Sequence, residues 1–198
     1  MKVLFTGLGS IGQRHLRNLR KLLGDSVEIF AYRVKREVPM LNDQLKVVED
    51  RFVKDEYGVI EFDDLDKALA QKPEIVFVTN PTSLHMEVAR KAAEAGSHLF
   101  IEKPLGASDL GVDELIKLVE RKRLVTLVAY QLRFHPGLIQ VSSWLREERI
   151  GQLIFANLLL GEYLPDFHPY EDYRKTYPAI KSLGGGVILS QIHEFDLK

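Results

Sequence analysis

The stretch "KVLFTGLGSIG", residues 2–12, decides the fold. Within residues 2–7, Val3, Leu4 and Phe5 are apolar at consecutive positions rather than at alternate ones, which marks a strand covered on both faces. Gly7, Gly9 and Gly12 then stand in G-x-G-x-x-G spacing, and Ser10 and Ile11 between them open a helix. The first glycine permits a tight turn, the second lets the backbone approach a pyrophosphate, and the third lets helix and strand pack closely. Phosphates would then meet the unpaired N–H groups of the helix start. Six letters alone are a weak signal. Their position, at the first strand-to-helix turn of a chain that continues in the same alternation, favours dinucleotide binding over a turn that serves packing only.

The alternation continues outward from that turn. Strands are expected at 2–7, 27–32, 58–62, 74–80, 98–103 and 124–130, most of them apolar at consecutive positions, with amphipathic stretches between them. Ile11, His15, Leu19 and Leu22 recur at helical spacing, as do Leu84, Val88 and Ala92, and Val112, Leu115, Ile116 and Val119. Gly24 and Gly96 follow two of these helices as C′ glycines do. Six strands joined by right-handed crossovers make an α/β, doubly wound parallel sheet of the Rossmann type over residues 1–130. The pattern changes after "LVAY" (127–130). A helix is expected at 137–149, a strand at 152–164, and then an irregular segment rich in Tyr, Pro, His and charge. Residues 131–198 read as the start of a second, α+β domain, too short to be complete and therefore expected to be truncated.

The composition sets limits on partners and setting. The chain has 198 residues, 45% hydrophobic and 28% charged, enough for a substantial core. A formal net charge of −1 supplies no field to gather nucleic acid or an anionic membrane surface, so neither is expected as a partner. There is no cysteine, which removes disulfides and thiolate metal sites, and the six histidines show no metal-ligand spacing. No window approaches the ~20 apolar residues of a membrane span, and a cytoplasmic protein is the default expectation.

An acid is expected about 20 residues after the glycine turn, to bind the ribose 2′-hydroxyl of NAD. The chain instead has "AYRVKRE" (31–37), where Arg33, Lys35 and Arg36 suit a 2′-phosphate and Glu37 lies further along. NADP is the favoured cofactor and NAD the other candidate; the alternative is a solvated basic loop. Arg14, Arg17, Arg20 and Lys21 read as solvated surface of the first helix.

Two further strand tips face the same crevice, "VTNPTSLH" (78–85) and "IEKPLG" (101–106). Asn80 and Pro81 end a strand, and Thr82 or Ser83 can cap the helix that follows. Asn80 and His85 are candidates to touch the nicotinamide half of the cofactor, or merely to cap. Pro104 keeps Lys103 extended, and Glu102 beside it points to the opposite face, which holds Lys103 over the crevice.

These residues, with "YQLRFHP" (130–136) and "GGGVILSQIHEFD" (184–196), give the chain its resemblance to the glucose-fructose oxidoreductase and inositol dehydrogenase family (Gfo/Idh/MocA). Five ordered motifs carry the resemblance along essentially the whole chain. It implies a nicotinamide-dependent oxidoreductase that moves hydride between its cofactor and a hydroxyl or keto carbon of a sugar, cyclitol or derivative. Gly7, Gly9, Ser10, Ile11, Gly12, Arg33, Asn80, Pro81, His85, Glu102 and Lys103 would then bind the cofactor. Lys103 would also hydrogen-bond the reacting hydroxyl, and His193 would exchange its proton. Lys103, Arg133, Asp172, Tyr173, Arg174 and His193 are the candidates for the substrate side. The family also implies pairing of protomers through the second domain.

The chain departs from the family where an Asp usually stands four residues before the histidine: Leu189 occupies that place. Ser190, Glu194 and Asp196 are nearby substitutes, so the proton's partner stays open. The polar stretch 164–180, with His168, Asp172, Tyr173, Arg174 and Tyr177, resembles loops of family members that act on bacterial surface-glycan sugars. Arg174 there could meet a substrate carboxylate or phosphate. Arg133 and His135 are similar candidates, with ion pairing inside the second domain as their alternative. "YPAIK" (177–181) fits the Tyr-x-x-x-Lys of short-chain dehydrogenases only formally, because Pro178 interrupts the turn. A non-catalytic NADP-binding sensor on the same fold is the remaining alternative.

Overall fold

The structure, a computed structural model, describes residues 1–34 and 38–197. Six strands form where the sequence is apolar at consecutive positions: β1 (Lys2–Phe5), β2 (Glu28–Tyr32), β3 (Val59–Phe62), β4 (Ile75–Val78), β5 (His98–Ile101) and β6 (Thr126–Val128). All pair in parallel in the order β3-β2-β1-β4-β5-β6. Between them run α1 (Ser10–Leu23), α2 (Val53–Tyr57), α3 (Leu65–Leu69), α4 (His85–Glu94) and α5 (Val112–Lys122). The chain order reverses between β1 and β4, and the crevice beyond their carboxyl ends is the switch point where doubly wound sheets bind ligands.

Both faces of the sheet are covered, which is why its strands carry no polar alternation. Leu4, Phe30, Val76, Val78, Leu99 and Ile101 pack on one side with α3, α4 and α5. Val3, Phe5, Ile29, Ala31 and Phe77 pack on the other with α1 and α2, and Phe5, Phe77 and Phe100 stack at 4.6 Å per neighbouring pair.

The helix faces differ in detail from the sequence expectation. α1 buries Gly12, Gln13, Leu16, Arg17 and Leu19, while Leu22 is 80% exposed. The cause is Gly12: a Cβ there would collide with the Gly7 carbonyl, so the helix lies against the glycine turn along the line 12, 16, 19. Arg17, expected on the surface, is buried with it, its guanidinium donating to Asp43 and to the Leu41 carbonyl. Leu84, just before α4, stays exposed, and within α4 Val88, Ala89, Ala92 and Ala93 form the buried face; in α5 Leu118 replaces Ile116 on the core side.

Beyond β6 come α6 (Pro136–Arg146), α7 (Leu164–Phe167), α8 (Val187–Ser190) and α9 (His193–Asp196), with single helical turns between. The strand expected at 152–164 does not form. A strand's main-chain groups need a neighbour, and none of the described residues pairs with this stretch, which leaves Ile154 and Leu159 exposed. Among the described residues no helix is long and apolar enough to cross a membrane.

Candidate active site

Three loops meet at the switch point. The β1 tip leads into the glycine turn, whose Gly7 carbonyl accepts from Thr79 Oγ1 at 2.7 Å at the β4 tip. A Cβ on Gly9 would meet nothing within 4 Å, so the outer side of the turn is open where a pyrophosphate would approach. α1 begins beside it at Ser10 and Ile11 with no side-chain cap. This cradle fits a dinucleotide.

At the β4 tip, Asn80 has its amide nitrogen buried without a partner, and Pro81 opens the turn Thr82–Leu84. His85, expected to touch the nicotinamide half, is buried. Its Nδ1 lies 2.9 Å from the Pro104 carbonyl and its Nε2 2.9 Å from the Asn80 carbonyl. Both ring nitrogens therefore lie against main-chain carbonyls, and the ring joins the β4 tip to the β5 tip. Burial lowers its pKa, against the two carbonyls, which favour the charged form.

At the β5 tip, successive side chains part as a strand demands. Glu102 turns toward α1, where Oε1 lies 2.7 Å from His15 Nε2 and Oε2 accepts from the Lys103 N–H. Lys103, followed by a cis peptide to Pro104, turns the other way and donates from Nζ to the Ser190 carbonyl at 2.6 Å. Burial holds its pKa below the ordinary lysine value, with Glu102, Glu162 and Glu194 opposing.

The segment 184–196 reaches this point because Gly184, at φ 83°, docks on the β4 loop, where a Cβ would lie 2.8 Å from Thr82 Cβ. α8 and α9 follow, and place Ser190 and His193 at the crevice. His193 is buried, edge-on to Tyr130, with Nε2 3.1 Å from the Gln131 amide nitrogen. Its Nδ1 and the Ser190 hydroxyl are buried without partners. Burial and the Lys103 charge lower its pKa, while Glu194, Glu102 and Asp196 oppose. An ammonium and an imidazole from positions far apart in the chain thus converge beside an unpartnered hydroxyl: a set able to hold an oxygen and move its proton.

The remaining candidates are engaged elsewhere. Arg33 is buried, with its guanidinium 2.5 Å from Glu61 Oε1 on β3; Lys35, Arg36 and Glu37 lie outside the described residues. Arg133 makes a bidentate pair with Asp196, the ion-pairing alternative weighed for it. Arg174 pairs with Asp172 two residues away and lies by the Tyr173 ring, all on the exposed 164–180 stretch. Gln131 and His15 are the residues that motif reading passed over. Gln131 lies inside "YQLRFHP" beside the more conspicuous Arg133, and His15 carries no motif signal beyond its place on a helix face.

The comparisons agree with this architecture. Residues 1–130 match the model of the oxidoreductase family with an NAD-binding Rossmann fold, GFO_IDH_MocA. The chain is 26% identical over 198 residues to a myo-inositol 2-dehydrogenase of Thermotoga maritima, covering 100% of this chain and 53% of that protein. It is 32% identical over 137 residues to a UDP-N-acetylglucosamine 3-dehydrogenase of Acidithiobacillus ferrooxidans, covering 69% and 38%. A solved myo-inositol 2-dehydrogenase of Lactobacillus plantarum superposes with a TM-score of 0.63 at 25% identity, over 78% of this chain and 43% of its own. An NAD-binding protein of Listeria innocua shares the fold, with a TM-score of 0.67 at 20% identity over 99% and 53%. The chain thus spans about half the length of the curated relatives that match along all of it. The glycine turn, the Glu102-Lys103-Pro104 strand tip and the match over residues 1–130 together make this chain a member of the Gfo/Idh/MocA oxidoreductase family.

Proposed function

We propose that the chain carries the cofactor-binding half and the reacting groups of an NAD(P)-dependent oxidoreductase acting on a hydroxyl or keto carbon of a sugar, cyclitol or sugar derivative. The observation that carries this reading is the approach of Lys103 Nζ, through the Ser190 carbonyl, to the His193 imidazole beyond the tips of β4 and β5. A bound nicotinamide would supply the hydride acceptor or donor, held by Gly7, Gly9, Ser10, Ile11 and Gly12 at the phosphates and by the Asn80–Pro81 tip at the other end.

An ammonium has three N–H donors. The Ser190 carbonyl takes one, and two remain for the reacting oxygen of the substrate. Charge on that oxygen is stabilised by Lys103, while His193, neutral near pH 7 because its pKa is lowered, accepts the hydroxyl proton in oxidation and returns it in reduction. Glu102 serves from behind, fixing the main chain of Lys103 and bound in turn by His15.

NADP preference depends on Arg33 exchanging part of its pairing with Glu61 for a 2′-phosphate. Residues 131–198 are read as the beginning of the substrate domain, with Asp172, Tyr173 and Arg174 on its sugar-facing loop and pairing of protomers through that domain. The NAD(P) requirement makes the cytoplasm the expected setting.

The test is a panel of cyclitols, sugars and nucleotide sugars with NADP and with NAD, monitored by reduced-nicotinamide absorbance. Turnover on at least one is expected, and Lys103→Met should cut it about a thousandfold while leaving cofactor affinity within a few fold. Tight cofactor binding with no turnover across the panel would favour a sensor, and equal loss of binding and turnover would overturn the role given to Lys103.

A further inference from the structure

We infer that Gln131 is the positioning residue for His193: it occupies Nε2, so that Nδ1 is the nitrogen facing the reacting oxygen. The inference rests on the oxidoreductase reading only for what that oxygen is; the coupling of the two side chains stands on geometry.

Gln131 lies in the turn Gln131–Phe134 that follows β6, and its amide nitrogen is 3.1 Å from His193 Nε2. The same turn grips α9 a second time through the bidentate pair of Arg133 with Asp196, and Tyr130 presents its ring to the edge of the imidazole. The ring is therefore held on one side. On the other, Nδ1 is buried with no partner, as is the Ser190 hydroxyl. Each orphaned buried group carries a desolvation cost that a substrate hydroxyl would relieve. Four residues before His193 stands Leu189, which offers no carboxylate to orient the ring.

An amide suits this task because it has both a donor and an acceptor end. With its N–H on bare Nε2, the neutral ring carries its proton on Nδ1 and can hydrogen-bond a substrate oxygen with it but not give it up, since that would leave an imidazolate. With the amide turned over, its oxygen accepts from Nε2–H, and Nδ1 is bare and can take the hydroxyl proton. In oxidation the substrate O–H bond breaks and an Nδ1–H bond forms, with Nε2–H held by the amide oxygen; reduction runs in reverse. Gln131 brings no charge, so the ring's affinity for protons is set by burial and Lys103, against Glu194, Glu102 and Asp196. Ring orientation without a carboxylate keeps His193 neutral beside the ammonium.

The test is the ring-nitrogen NMR spectrum of His193 in the 15N-labelled chain as a function of pH, assigned by its loss in His193→Gln. Gln131→Glu should raise the affinity of His193 for its proton about tenfold and move the neutral ring's proton onto Nε2. Gln131→Met, which keeps the length and removes the hydrogen bond, should change the ring-nitrogen shifts and, with a turned-over substrate, lower kcat/KM roughly tenfold. With that substrate, the acidic limb of the kcat/KM profile in Gln131→Glu should move to higher pH together with the NMR titration. Ring shifts and titration in Gln131→Met identical to the parent chain would overturn the inference, and would leave the oxidoreductase reading standing if turnover persists. Shifts that move as stated in a chain without turnover would support the coupling and count against that reading alone.

Discussion

The first 130 residues and the region after them bury their chains in opposite ways. In the first, Val3, Leu4 and Phe5 are wholly buried and every strand has a parallel neighbour, so the inner strands are held from both faces. In the second, among the described residues only Gly184 and His193 are buried, and Ile154 and Leu159 are 95% and 92% exposed. Those two buried positions are where the second region touches the crevice of the first. Its order is borrowed at the candidate site: Gly184 rests on Thr82, and the Ser190 carbonyl accepts from Lys103. A protein arranged this way should lose its second region's order before its first, and should lose it at the site.

The contrast is broken most directly from the first region. Gly12→Val puts a branched side chain into the Gly7 carbonyl and should cost roughly 3 kcal/mol of stability, read as a lower denaturant midpoint for the whole chain. Gly184→Ala should act on the other side of the contrast. The positive φ and the approach to Thr82 together should cost about 2 kcal/mol, confined to docking of residues 184–197. Limited proteolysis should then cut the second region faster while hydrogen exchange in β1, β4 and β5 stays unchanged.

Acid should act through His85, which joins the tips of β4 and β5. Its folded pKa lies below the ordinary 6.5 because of burial, so the unfolded chain binds the proton first. The stability this group contributes is fully present above about pH 6.5 and is lost as pH falls through the lower folded value. Thermal melts from pH 8 to pH 5 should show that decline, and His85→Gln should flatten its share of it. The smallest effect is expected at Glu61. Glu61→Gln releases Arg33 from its carboxylate and should shift the ratio of NADP to NAD affinity toward NADP by a few fold, measured by fluorescence titration. An unchanged ratio would remove Arg33 from cofactor discrimination.

Six strands, the glycine turn and the placing of Lys103 on a strand tip were legible from the amino acids, because each depends on local periodicity, on glycine spacing or on a proline one residue away. The helix faces were legible only in part. Spacing alone favoured Ile11 and Leu22, but the close approach at Gly12 rotated the buried line of α1 to Leu16 and Arg17.

The amino-acid sequence by itself determined the doubly wound sheet, its phosphate turn and the placing of Lys103, and its family resemblance supplied the candidacy of His193. Tertiary structure alone decided their partners: Glu102 with His15, 87 residues apart; His193 with Gln131, 62 apart; and Arg33 with Glu61 rather than with open solvent. It also decided that 152–164, despite its apolar residues, is not a strand. Propensity acts between near neighbours, whereas a hydrogen-bond partner is whatever group folding brings within about 3 Å, and no local pattern records that.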